Sequence, residues 1–197
     1  MKKGQIWTSA VLYIVLGVIA ISIVLSAGVP LINKIKDKNT IIQTKELLLD
    51  LDNIFREVRD EGPGSRRVIQ PFVIKDGKFF INTSTNAVNN KIEDKIQWEL
   101  KTSALITEPC GKTFKECNDN NLIIKEGQLS IYETNTIVDN EYIVHLELDY
   151  TDVGFLNVKS GLGKDSPLIG KFSFTIENGG IYPNRQTNLP NLDITIN

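Results

Sequence analysis

Three regimes of hydrophobic patterning follow one another along the chain. From Gly4 to Asn33 no side chain is charged, and apolar residues such as Val11, Ile14, Val15, Val18, Ile21 and Leu25 occupy every face of a helix. All-round hydrophobicity marks a membrane span or a fully buried helix, and a span needs roughly 20 apolar residues. The run is long enough to cross a bilayer, so the chain reads as a membrane helix carrying a water-soluble remainder.

A stripe replaces this uniformity after Asn39. Ile41, Thr44, Leu48, Leu51, Phe55 and Val58 recur at spacings of three and four, widened by Leu47 and Ile54, while Lys45, Asp50, Asp52, Arg56 and Arg59 lie off the stripe. This predicts an amphipathic helix with one face packed against something apolar. The chain's own following domain is the default partner, and the same helix in a neighbouring copy is the other. Pro30 removes one backbone hydrogen bond, so a kink or short break is expected there. A helix over residues 5–60 would measure about 80 Å at 1.5 Å per residue. Glu61-Gly62-Pro63-Gly64-Ser65 ends it, because Gly supplies helix-end backbone angles and Pro cannot continue the helix.

Beyond Arg66 the period changes to two. Ile96, Trp98 and Leu100 alternate with Gln97, Glu99 and Lys101; Tyr142, Val144, Leu146, Leu148 and Tyr150 alternate with Ile143, His145, Glu147 and Asp149. Phe172, Phe174 and Ile176 repeat the rhythm, as do Leu192, Ile194 and Ile196. Each run has one apolar and one mostly polar face, as expected of antiparallel strands covering a core on one side. Asp76-Gly77 between Val73-Ile74 and Phe79-Phe80 predicts a hairpin, and Pro71 predicts that its first strand lies at a sheet edge. Turn clusters fall at 82–90, 118–121, 125–127, 160–167 and 177–183, with 82–90 expected to be an exposed, flexible loop. The expected fold class is α+β. A long N-terminal membrane and stalk helix precedes an antiparallel β-rich head over 65–197, a sandwich or curled sheet of roughly seven to nine strands with helix 41–60 laid against it.

The chain has 197 residues, leaving room for one head domain beyond the helix and no second domain. With 22 basic and 24 acidic residues the net charge is −2, so no clustered basic surface for nucleic acid is indicated. Mean hydropathy is −0.11 even with the apolar run included, which makes the remainder distinctly polar.

The apolar run is too long for a conventional secretory signal, whose apolar region spans roughly 7–15 residues, and Ser26-Ala27-Gly28 makes a poor cleavage site. Instead the small residue comes first. Lys2-Lys3-Gly4-Gln5, directly before the helix, resembles the class III signal peptide of archaeal type IV pilin-like proteins and archaellins. The resemblance covers about the first 60 residues. It implies that a membrane prepilin peptidase cuts on the cytoplasmic side between Gly4 and Gln5, with Lys3, Gly4 and Gln5 as the processing residues, leaving 1–4 as leader and 5–60 as the retained helix. It further implies pilus assembly machinery as a partner, an assembly ATPase and a membrane platform, and a homo-oligomer or mixed filament bundled through the helix. Many type IV pilins carry a glutamate at the fifth mature position, which here is Ser9, so no buried carboxylate is available to meet a neighbour's amino terminus. Lys34, Lys36, Lys38 and Lys45 follow the helix, and by counting flanking basic residues the head would stay in the cytoplasm. The resemblance implies the opposite orientation, and long domains translocate largely regardless of charge.

Candidate chemistry is sparse. Cys110 and Cys117 are the two cysteines; with one distant histidine they do not make a zinc set, and they form a disulfide if the head is outside the cytoplasm or remain thiols if it is not. His145 is the sole histidine, expected to be a solvated strand residue near Glu147 and Asp149 rather than a general base, and no G-x-S-x-G accompanies it. Gly161-Leu-Gly-Lys-Asp-Ser166 lacks phosphate-loop spacing and reads as a surface turn. Asn82-Thr83-Ser84 fits the N-glycosylation acceptor pattern, and Arg66-Arg67 at the junction are expected to be solvated, with pairing to helix carboxylates such as Glu57 or Asp60 as the alternative.

These readings converge on a structural role without catalysis or cofactor: a subunit held in the membrane before assembly and then in a cell-surface filament. The alternative is a non-polymerising, single-pass cell-surface binding module that recognises a ligand through its head loops. A membrane-tethered hydrolase lacks a converging polar constellation.

Overall fold

The computed structural model describes residues 3–83, 94–119, 123–159, 167–181 and 189–197; the side chains of 3–8, 114 and 118–119 fall outside that description. So do residues 84–90 of the Asn- and Thr-rich loop and the turn 161–166.

One helix, α1, runs from Lys3 to Glu61. It passes through Pro30 without the expected break. Its two halves have different surroundings. From Ser9 to Lys36 every residue is exposed apart from Gly28, which is half-buried. From Ile41 onward the predicted stripe is buried at every position: Ile41, Thr44, Leu48, Leu51, Phe55 and Val58. The partner of that stripe is the chain's own sheet, since Leu48, Leu51, Phe55 and Val58 share one core with Trp98, Leu146, Phe174 and Ile194. Burying each such side chain contributes roughly 1.5–3 kcal/mol relative to exposure.

The helix ends where the glycines place it. Gly62 takes φ 92° and Gly64 φ 88°, the left-handed region that favours glycine. The freed carbonyls are met from a distant strand: Asn178 Nδ2 donates to Val58 O at 3.1 Å and to Arg59 O at 3.2 Å, and Ser65 Oγ donates to Val58 O.

Eight strands follow: β1 (Arg66–Asn82), β2 (Lys95–Thr102), β3 (Ile124–Glu126), β4 (Leu129–Asn135), β5 (Tyr142–Asp149), β6 (Phe155–Val158), β7 (Leu168–Asn178) and β8 (Asn191–Ile196). A short helix, α2 (Phe114–Asp119), precedes β3. All eight strands join one sheet, in the order β3-β4-β5-β2-β1-β7-β8-β6, so the head is not a two-sheet sandwich. Every pairing is antiparallel except β6 with β8, which is parallel.

The sheet curls, as connectivity requires. Strands β5 and β6 stand five strand spacings apart, about 24 Å in a flat sheet. The chain from Asp149 to Phe155 reaches about 20 Å when fully extended, and it is shortened by a turn in which Val153 N and Gly154 N donate to Tyr150 O. The two ends of the sheet must therefore approach each other around the helix.

Two expectations about β1 are overturned. Asp76-Gly77 is not the tip of a hairpin, because its flanks pair with different neighbours: Val73 and Ile74 with β7, and Lys78 to Asn82 with β2. Gly77 takes φ 84°, and a Cβ there would lie 2.6 Å from both the Glu99 carbonyl oxygen and Trp98 Nε1. The Trp98 indole donates to Asp76 O at 3.0 Å. The Asp-Gly signal thus reports a close approach of backbone to a buried tryptophan. Nor does Pro71 mark an edge strand: β1 lies inside the sheet, and Pro71 sits in a register shift between Ile69 and Phe72, where the ladder needs no donor.

Candidate functional site

The largest feature without a partner in the chain is the apolar half of α1. Its side chains extend into surroundings that the chain does not supply, with Val11, Ile14, Leu16, Val18, Ile21 and Val24 each about half or more exposed. It is long and apolar enough to cross a membrane. Lys3, Gly4 and Gln5 form the first residues of the helix backbone. Immediately above the apolar run the helix meets the head through polar contacts: Lys36 Nζ lies 3.1 Å from Asp76 Oδ2, and Thr102 Oγ1 donates to Asp37 Oδ2 at 2.6 Å.

On the sheet face away from α1 a second cluster has formed, and His145 is at its centre rather than in solvent. Its Nε2 lies 2.9 Å from Thr134 Oγ1 and its Nδ1 3.3 Å from Glu99 Oε1. The Tyr132 ring stacks on the imidazole at 4.7 Å with planes 9° apart. The hydrogen bond from His145 holds the Glu99 carboxyl below its ordinary pKa, against the opposing effect of partial burial. Glu147, expected on the solvent face, is 3% exposed; it accepts from Gln97 Nε2 and pairs with Lys95 Nζ at 2.9 Å. Burial, with the nearby charge of Glu147, pushes the Tyr132 phenol up.

Hydroxyl, imidazole and carboxylate in series is the order of a hydrolytic triad. Here Thr134 is 5% exposed and Tyr132 lies flat against the ring, so a substrate carbonyl has no approach. The arrangement ties β4, β5 and β2 together across their outer face.

Beside it, Cys110 and Cys117 stand at disulfide distance, with Cα atoms 4.8 Å apart, and pack on Tyr132. Local sequence builds this loop. Thr113 caps the start of α2, its Oγ1 accepting from Glu116 N at 3.5 Å, while the Glu116 carboxylate accepts from Lys112 N and from Thr113 Oγ1. The loop is anchored by Glu133, which is fully buried and accepts from Ile106 N at 3.0 Å and Thr107 N at 2.9 Å. Burial pushes the Glu133 carboxyl up, and those two amides hold it down in part.

The remaining sequence candidates are not brought together. Asn82 ends β1 with an exposed side chain that donates to Gln97, and Ser84 of its acceptor triplet lies outside the described residues. Arg67 is paired with Glu57 and Glu61 rather than simply solvated. Among the described residues no group of three or more His, Cys, Asp and Glu side chains is placed to hold a metal ion.

Three buried polar groups had no sequence signal as such. Asp52, off the apolar stripe, is 6% exposed, pairs with Arg56 Nε at 2.8 Å and lies beside the buried Tyr150 phenol, whose pKa burial raises. Asn178 caps α1, and Asp193 accepts from both Asn157 and Asn191. An Asp at i with Arg at i+4 is visible in sequence, but its burial depends on Tyr150, nearly a hundred residues away.

No family model matches the chain, and neither the curated proteins nor the solved structures contain a match. The functional reading therefore rests on the chain's own geometry and on the short leader-like motif.

Proposed function

We propose that this chain is a structural subunit of a type IV pilin-like surface filament, processed after Gly4 and assembled through its apolar helix. The observation that carries the reading is the contrast within α1: the stripe from Ile41 to Val58 is saturated by the chain's own head, while residues 9–36 present apolar side chains on all sides. Bilayer lipid covers such a helix before assembly, and equivalent helices of other copies cover it afterward. The Lys3-Gly4-Gln5 junction supports cleavage by a prepilin peptidase, and the cysteines at disulfide distance support an oxidising exterior for the head. In this reading the head performs no catalysis and needs no cofactor.

The second reading, a single-pass surface binding module, keeps the anchor and the head and drops the processing. Mass spectrometry of the N-terminus of protein recovered from its native membrane or surface fraction separates the two. A mature chain beginning at Gln5, lost in Gly4→Val, is the outcome expected of a processed subunit. A chain that retains Met1–Gly4 sinks the filament reading and leaves the anchored module.

A further inference from the structure

The level at which the head meets the bilayer can be read from contacts along α1, taking residues 9–33 as the anchor proposed above. Strand β5 starts at Tyr142, which is in register with Thr102, whose hydroxyl donates to Asp37. Beyond its other end, the Tyr150 ring lies 5.0 Å from Phe55 and the phenol neighbours Asp52. The helix rises about 22 Å from Asp37 to Asp52, and the strand advances about 26 Å from Tyr142 to Tyr150. The two lengths nearly match, so β5 climbs with the helix. Followed backward from Tyr142, it descends toward the apolar run.

What lies in that direction is the connection between β4 and β5. Thr136 N donates to Glu141 O at 3.2 Å and Glu141 N to Val138 O at 3.3 Å, with Asn140 at φ 60°, so the connection is a closed, ordered tip. Two residues past the last ladder pair carry it about 7 Å further, to the level of Ile32 and Asn33, where the charge-free run ends. Its outermost side chains are apolar: Ile137 is 97% exposed and Val138 54%. Leu105, in the loop that leaves Thr102, is 53% exposed. On the helix Lys34 stands at this level, with Lys36 and Lys38 about 5–8 Å above it. Of the acidic groups on the tip, Glu141 is paired with Lys101, which leaves Asp139 as the nearest negative charge.

One apolar side chain with nearly full exposure and two that are half exposed, level with the end of a membrane helix and just below a run of lysines, match the chemistry of a headgroup layer. We infer that the base of the head rests on the bilayer, with Ile137 and Val138 inserted at the boundary between headgroups and acyl chains and Leu105 beside them. The head is then held against the surface in the unassembled protein instead of swinging on its helix.

The test uses the full chain in phosphatidylcholine vesicles containing lipid brominated either near the headgroup or near the chain end. Ile137→Trp is made in a Trp7→Phe background, where Trp98, fully buried, supplies a constant signal. The introduced indole is expected to emit to the blue of a water-exposed one and to be quenched more by the shallow bromines than by the deep ones. In the unmodified chain Trp7 reports on the anchor itself. An indole at position 137 that stays water-exposed while Trp7 is quenched overturns the docking and leaves the anchor standing. Absence of quenching at both positions overturns the anchor reading together with the docking.

Discussion

One helix carries two kinds of surface, and the comparison between them explains most of the molecule. Residues 9–33 and residues 41–58 of α1 share the same backbone, yet the first stretch is apolar on every face and exposed apart from half-buried Gly28, while the second is apolar on one face and buries it. A stripe has a direction, so it can be met by a single sheet. Uniform hydrophobicity has none, and only a medium that surrounds the helix, lipid or other helices, can cover it. The transition between the two lies at Lys34 to Asp37, where charges appear and the contacts with Asp76 and Thr102 begin.

The comparison breaks first under truncation. Phe55→Ala removes a fully buried ring that packs on Tyr150, and such changes cost about 3–5 kcal/mol. The head's Tm in detergent should drop by on the order of 10 °C or more. Ile14→Ala, on the exposed half, should leave the head's stability within about 0.5 kcal/mol of the original. Equal effects at the two sites would mean that the apolar half packs on the head, contrary to its exposure.

A smaller effect sharpens the boundary at the helix's far end. Asn178 is buried and satisfies two α1 carbonyls while its own Oδ1 accepts from Gly180 N at 2.9 Å. Asn178→Ala leaves those groups unmet, at a cost of about 1–3 kcal/mol. Hydrogen exchange should accelerate in the last turn of α1 and in Gly64, whose N–H donates to Asn178 O, before it does so at Leu48. Unchanged protection there would show that Ser65 and packing alone hold the helix end.

How much of this was legible in the sequence depended on the range of the interaction. The stripe, the helix end at Gly62 to Gly64, and the alternation in β2 are local patterns, and each appears in the structure at the residues that predicted it; in β5, β7 and β8 strands form where the alternation placed them, but Glu147, Thr175 and Asp193 on the polar side are buried as well. Asp76-Gly77 failed because the same dipeptide serves a hairpin and a close approach; only the position of Trp98, set by a different strand, decides between them. Pro71 failed for a related reason, since a bulge exempts an interior strand from donating. His145 and Glu147 sit on the face that alternation assigned to solvent. Tyr132 covers His145, and Gln97 and Lys95 reach Glu147 from the neighbouring strand, which no period-two pattern records. The residues at 3–5 proposed for processing belong to a different class, as the meaning proposed for them lies in a peptidase and not in the fold.

The two halves of α1 also differ in what acid can do to them. From Gly4 to Asn33 the chain holds no carboxylate, histidine or lysine, so between pH 7 and about pH 3 protonation acts through the second half of α1 and the head. There Glu99 and Glu133 work in opposite senses. Glu99 has a lowered folded pKa, caused first by its hydrogen bond with His145; the stability it contributes is present above the unfolded value near 4.3 and is lost as pH falls through the lower folded value. Glu133 has a raised folded pKa from burial, so its penalty is present at neutral pH and is relieved on acidification. Comparing wild type with Glu99→Gln isolates the first effect, because Glu133 is common to both. Glu99 is about one-third exposed, so solvent screening keeps the gap at pH 7 under about 1 kcal/mol. That gap should close as pH falls through the lowered folded value, below which the wild-type carboxyl is itself neutral. A gap that persists unchanged into acid would show that the amide costs packing on the outer face and that the His145–Glu99 pair contributes no charge-dependent stability.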